Sequence, residues 1–296
     1  MKLRFHTLDV FTCETFAGNP LAVVMDADGL DGGTMQAIAR EFKLSETVFV
    51  IKPADPAHRA GIRIFTPVQE LLFAGHPTVG TALLLADLDG TASPMVLEEK
   101  IGPIRISFSG TGRERIATFE AATMPKPLGD VPPDDAIAAA LGVDTQQIGY
   151  LNHRPHAANP GNHPMLYVPL ASREALANSS PQMAYWQGLG ELGKFLVYAY
   201  CAGSGENLFH ARGFAPLDGI GEDPATGSAA CGFPSSVINA EGAWRGDREI
   251  MIFQGEDMGR PSRINVTAAM EDGALVSVRI GGQAVRVSQG QLLLGS

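Results

Sequence analysis

Cysteine is scarce in this chain: Cys13, Cys201 and Cys231 are three scattered residues among 296. An odd, dispersed set excludes a disulfide framework and a CxxC redox or zinc pair, and the expectation is a reducing cytoplasm. Charge is also sparse, 18% of residues, too little for a solvated or disordered chain. Basic charge is outnumbered, leaving a net −10 and a pI near 5.1. A nucleic-acid binder needs a basic stripe against phosphates, so no nucleic-acid partner is expected. No run approaches the ~18 apolar residues of a membrane span. No basic amphipathic helix offers itself to a membrane surface either. The start, Met1 to Val10, alternates apolar and polar residues and reads as a first strand, not as the apolar core of a signal peptide. Low-complexity sequence is absent.

What is present is apolar residue, 45% of the chain, ample for a packed core. The length allows one large or two ordinary domains. The stretch around which the rest is organised is Phe73 to Leu88. Its first half, Phe73-Ala74-Gly75-His76, is a glycine turn. Its second half predicts a helix apolar nearly all round, with Pro77 as its first residue. Such a helix must be enclosed. Its start aims free N–H groups forward, a positive end that attracts anions.

This stretch has a counterpart about half the chain away. Arg63-Ile64-Phe65-Thr66-Pro67 precedes the first turn; Arg212-Gly213-Phe214-Ala215-Pro216 precedes Asp223-Pro224-Ala225-Thr226-Gly227-Ser228. Both copies run strand, Arg-x-Phe-x-Pro, loop, glycine turn, small-residue helix. The period is too long for a solenoid and predicts two pseudo-equivalent domains. Strands are expected at Leu3 to Phe11, Leu21 to Met25, Val48 to Ile51, Arg59 to Phe65, Met95 to Leu97, Ile101 to Phe108 and Arg115 to Phe119. Further ones are expected at Met165 to Val168, Lys194 to Tyr200, Asn207 to Phe214, Glu249 to Phe253, Ser262 to Ala268 and Ala274 to Ile280. Met35, Ile38, Ala39 and Phe42 share one helical face, giving a helix over Gly33 to Lys43; Asp134 to Leu141 is another. Pro125 to Pro133 reads as the linker and Asn152 to Pro164 as a loop. The simplest packing is α+β: a mixed sheet wrapped around one apolar helix per domain. The two glycine corners would then face an interdomain cleft, where small-molecule sites concentrate.

Glu46, between Ser45 and Thr47, joins a helix to an apolar strand. On position alone it is an exposed carboxylate at a strand edge; delivered into a cleft, it is an acid and base in turn. His76 is either a polar cap or an imidazole that meets substrate or relays a proton. Asp223 and Ser228 are either caps of the second helix or polar contacts to substrate. Three other features carry less. Gly188-Leu189-Gly190-Glu191-Leu192-Gly193 matches GxGxxG but precedes a strand, so the dinucleotide context is missing. His153, His156 and His163 cluster without Cys or a clear carboxylate ligand, so no metal site is expected. Gly203-Ser204-Gly205 lacks the nucleophile-elbow frame and reads as a hairpin loop.

Together these stretches resemble the phenazine-biosynthesis-like (PhzF-like) family. The matching blocks are Asp9 to Thr12 with Gly18-Asn19-Pro20 through Val24, Leu44-Ser45-Glu46-Thr47, Arg63 to Pro67 with Gly75-His76-Pro77-Thr78, Glu222 to Ser228, and the C-terminal Gln254-Gly255 and Gly259-Arg260-Pro261. The resemblance implies the diaminopimelate-epimerase-like fold with two pseudo-symmetric domains. Residues 1–121, completed by a last strand at about 284–296, would form the first and 122–283 the second. It implies a homodimer and cofactor-independent isomerase chemistry on a small carboxylate-bearing substrate. Glu46 takes the proton-transferring position, with His76 and Asp223 beside it in the catalytic set. Ser45, Gly75, Gly227 and Ser228 take substrate-binding positions. Two departures stand out: Ala230 replaces a common histidine, and Phe233-Pro234 should kink or shorten the second helix. Neither glycine turn carries a cysteine, which argues against a two-thiol racemase. An epimerase with other bases, and a ligand-binding protein without catalysis, remain as alternatives.

Overall fold

The computed structural model describes residues 1–90, 93–161 and 163–295. Asn162 of the expected loop and Ser296 of the expected last strand lie outside the described residues. The chain divides into two compact units, 1–120 with 281–296, and 121–280.

Unit 1 holds strands β1 (Lys2–Val10), β2 (Asn19–Val24), β3 (Glu46–Ile51), β4 (Ala60–Phe65), β5 (Glu70–Leu71), β6 (Met95–Glu99), β7 (Gly102–Ser109) and β8 (Ile116–Glu120), with helices α1 (Gly32–Phe42) and α2 (Gly75–Asp89). Its sheet is mixed. β1 and β2 are antiparallel, β2 and β3 parallel, β3 and β4 antiparallel, β4 and β6 parallel, and β6, β7 and β8 antiparallel. Helix α2 is the core of this unit. Every residue from Gly75 to Ala86 is buried, as a helix without a polar face must be. At Gly80 an added Cβ would stand 2.7 Å from methyls of both Val10 and Leu21, so the strands close directly on the helix backbone. Helix α1 is amphipathic, as its periodicity predicts. Asp31 caps its start and Lys43, at φ 54°, ends it.

Unit 2 holds α3 (Asp134–Leu141), α4 (Arg173–Asn178) and α5 (Gly227–Glu241). Its strands are β9 (Lys126–Leu128), β10 (His156–Asn159), β11 (Met165–Pro169), β12 (Leu196–Ala202), β13 (Leu208–Ala215), β14 (Ile220–Asp223), β15 (Gly246–Gln254), β16 (Ser262–Glu271) and β17 (Ala274–Gly282). Here β11 and β12 are parallel, β12 and β13 antiparallel, β13 and β15 parallel, and β15 and β16 antiparallel. That is the series of unit 1 repeated, and α5 packs on β10, β11 and β16 as α2 packs on its own sheet. The last strand, β18 (Ala284–Leu293), belongs to unit 1 and pairs with β1.

The repeated Arg-x-Phe-x-Pro has the same structure in both copies. Arg63 forms a two-bond fork with Glu70 (2.7 and 3.0 Å) and lies over the Phe65 ring. Arg212 forms the same fork with Glu222 (2.9 and 2.6 Å) and lies over Phe214. In each unit the fork closes the loop that leads into the glycine turn.

Three local expectations need correction. Pro77 is the third residue of α2, not the first, although it still sits in the first turn where its missing N–H costs nothing. Pro234 does not end α5, which runs through to Glu241 with Phe233 and Pro234 fully buried against the unit 2 core. The proline-rich linker and the Asn152 to Pro164 loop each contain a short strand, β9 and β10, paired with one another. No helix among the described residues is long and apolar enough to cross a membrane.

Candidate active site

In unit 1, Glu46 opens β3 and pairs in register with Leu21 on β2, next to Pro20. His76 is the second residue of α2, which packs on both strands. This brings Glu46 Oε2 to 3.3 Å from His76 Nε2. Both side chains are enclosed, 13% and 5% exposed, so Glu46 is not a carboxylate at an open strand edge and His76 is not a surface cap. The imidazole also meets the backbone carbonyl of Pro20. A carbonyl only accepts, so the ring nitrogen there carries the proton; this assigns Nδ1–H to Pro20 and leaves the Nε2 lone pair toward Glu46. Burial holds the ring neutral, pushing its pKa down to about 3. Ser45 immediately precedes Glu46 and is half-buried. Ala74 supplies no side-chain cap to α2, which leaves the Gly75 and His76 N–H groups at the positive end of a buried helix.

In unit 2, Asp223 ends β14 and Thr226 stands at the N-cap of α5. The N-cap position belongs to Thr226, not to Asp223, whose Oδ2 accepts the Thr226 hydroxyl proton at 2.6 Å. Gly227 and Ser228 are the first and second helical residues, so Ser228 is not the cap either, and its side chain is half-buried. The Thr226 side chain makes no cap bond to this helix, as Ala74 makes none to α2.

Gln254, which no sequence argument gave a role, holds the turn together. Its Oε1 accepts from Tyr198 Oη (2.9 Å) and Thr226 N (3.1 Å). Its Nε2 donates to the Asp223 carbonyl (2.8 Å) and Thr226 Oγ1 (2.9 Å). All four capacities of this fully buried amide are used, and the Thr226 proton is thereby directed to Asp223. The one signal in the sequence was the Gln254-Gly255 pair at a strand end. Glu99 was missed too: buried at the end of β6, its Oε1 is 2.6 Å from Thr78 Oγ1 in the first turns of α2.

The other features have structural places. Gly188 to Gly193 lie in a 3₁₀ segment in which Gly193 C=O accepts from the Trp186 indole. His153 sits between Tyr200 Oη (2.9 Å) and Glu241 Oε1 (3.2 Å), and His163 stacks on Phe195. Gly203 to Gly205 join β12 to β13.

The model of the family described as phenazine biosynthesis-like protein matches residues 8–290. An uncharacterised isomerase of Mesorhizobium japonicum is 45% identical, over 99% of this chain and 100% of its own length. The trans-2,3-dihydro-3-hydroxyanthranilate isomerase of Pseudomonas aeruginosa is 33% identical, over 98% of this chain and 99% of its own. The crystal structure of a PhzF-family protein from Bacillus anthracis superposes with a TM-score of 0.89 at 24% identity, covering 99% of this chain and 100% of that one. By sequence along nearly its whole length and by the doubled sheet-and-helix fold, the chain belongs to the phenazine biosynthesis-like (PhzF-like) family of isomerases, with the diaminopimelate-epimerase-like architecture.

Proposed function

We propose that the protein is a cofactor-independent isomerase in which Glu46 removes a proton from carbon and returns it at a conjugated position. The observation that carries this reading is the buried Glu46–His76 pair at 3.3 Å with its neutral imidazole. A carboxylate beside a neutral ring lone pair has somewhere to hold a proton between two transfers. Once Glu46 has taken the proton, its Oε2–H would donate to His76 Nε2, which would fix the carboxyl in one orientation and add no positive charge that would trap the proton. Atoms balance: the C–H bond broken at one carbon is remade at another, and Glu46 ends as it began.

The substrate is a small carboxylate. Gly75 and Gly227, at the positive starts of α2 and α5, would receive its oxyanion through backbone N–H groups, with Ser45 and Ser228 as further contacts. Asp223, aimed by the Thr226 hydroxyl, would hold a polar or cationic group of the same molecule. A carboxylate beside an amine is the chemistry named for the Pseudomonas relative, so trans-2,3-dihydro-3-hydroxyanthranilate, or a close analogue of that amino-acid skeleton, is the proposed substrate class.

Incubation with that compound, followed by NMR of the product, tests the reading. Migration of a double bond with the loss of one ring C–H and gain of another is the expected result. Inversion of a stereocentre with the double bonds unmoved would instead identify an epimerase.

A further inference from the structure

We propose that unit 1 carries a second, separate site for a small organic oxyanion, in the cavity where Arg113, Arg115 and Arg286 stand above an apolar floor at the C-terminal half of α2. The cavity measures about 400 Å³, within the range of small-molecule sites. Leu8, Leu83 and Leu84 form its floor, and all three are buried. Leu84 lies eight residues beyond His76, about 12 Å along the helix axis, so this is not the Glu46–His76 centre.

The backbone is irregular where it delivers Arg286. Thr7 of β1 pairs with Ser288 of β18, but Leu8 pairs with Arg286, so Val287 is an extra residue. Directly opposed residues share a face, and Thr7 Oγ1 and Ser288 Oγ indeed meet at 2.7 Å. In a regular strand Arg286 would share that face with Ser288. The bulge turns it to the opposite face, where Leu8 and α2 lie.

Charge at this cavity is not balanced. Arg286 has one carboxylate neighbour, Asp87, at 3.5 Å. Among the described residues, Arg113 and Arg115 have no carboxylate within ion-pair distance. Arg115 Nε is buried without an acceptor. A buried guanidinium donor left empty costs free energy that a bound oxyanion would recover. The Arg113 turn is also fixed: Gln283 Nε2 donates to the Arg113 carbonyl at 2.9 Å. Three guanidiniums against one carboxylate, in a protein of net charge −10, select an anion. The guanidinium fork suits a carboxylate or a phosphate alike, and the leucine floor suits an apolar body attached to it.

Calorimetric titration of the full chain with benzoate, and separately with inorganic phosphate, tests this. At least one probe should bind wild type. Arg115→Ala, and independently the exposed Arg113→Ala, should weaken that binding about tenfold or more, with Arg115→Lys intermediate and the arginine-dependent binding retained in His76→Ala. Benzoate alone binding assigns a carboxylate with an apolar body; phosphate binding as tightly assigns a phosphate ester. Absence of binding by both probes, equal affinity in both arginine variants, or a loss confined to His76→Ala would overturn the proposal.

Discussion

Thr78 has one hydroxyl proton and two short contacts that attract it, the Ala74 carbonyl at 2.8 Å and Glu99 Oε1 at 2.6 Å. A carbonyl cannot donate, so the second bond needs a proton from Glu99, which is therefore a neutral acid. Burial agrees, pushing Glu99 from its ordinary 4.5 up to about 8. Between those values the folded chain keeps a proton that the unfolded chain has lost, so this residue makes stability fall as pH rises across the window. Glu99→Gln, whose amide still donates to Thr78, should flatten that fall in denaturation curves taken at about pH 5 and about pH 8. His76 acts with the opposite sign. Its ring is pushed from 6.5 to about 3, so between those values the unfolded chain binds a proton that the folded chain refuses, and stability is lost as pH falls. NMR of the ring should show no titration through the neutral range; a His76 midpoint near its ordinary 6.5 would contradict the assigned neutral ring. Gln254→Leu strands the Thr226 N–H and the Tyr198 hydroxyl, at roughly 1–3 kcal/mol each, measurable as a lowered denaturation midpoint. Position alone made Glu46 an exposed carboxylate and left His76 between cap and relay; their roles were expected from the family resemblance, and what the fold adds is that the two side chains are enclosed together. Gln254 and Glu99 were not, because their roles depend on hydrogen-bond partners distant in sequence.

Helices α2 and α5 were legible from composition: small and apolar residues on every face allow only an enclosed helix. What composition could not tell was how tightly each is gripped. A Cβ at Gly232 would stand 1.9 Å from Tyr167 Oη, which donates to the Ala229 carbonyl of the same helix. Gly232→Ala must displace that buried tyrosine and should destabilise by about 1–3 kcal/mol, as overpacked cores do, despite alanine's better helix propensity. Pro234 does not shorten α5, because burial of its neighbours along the helix outweighs one lost backbone bond. Strands β9 and β10 escaped prediction for a related reason. Pro127 cannot donate to a ladder and marks the stretch as loop, yet it pairs with Ala158 in a strand three residues long.

The molecule as a whole is two copies of one device, and this was readable from Arg-x-Phe-x-Pro because the motif encodes a contact. The arginine meets its carboxylate fork and its phenylalanine from one strand in both copies, so the shared spacing marks a shared contact. Neither glycine turn carries a cysteine, and the three that the chain has differ in access. Cys13 is exposed, whereas burial pushes Cys201 up to about 11 and Cys231 up to about 12. A thiol reagent should therefore modify Cys13 alone in the folded protein and all three residues after denaturation, and native modification should leave turnover unchanged. The most direct test of the central claim is turnover by Glu46→Gln, measured beside its affinity for the same substrate. The account predicts a rate lower by about 10²–10⁴ with binding retained. A variant that turns over at the wild-type rate would contradict it.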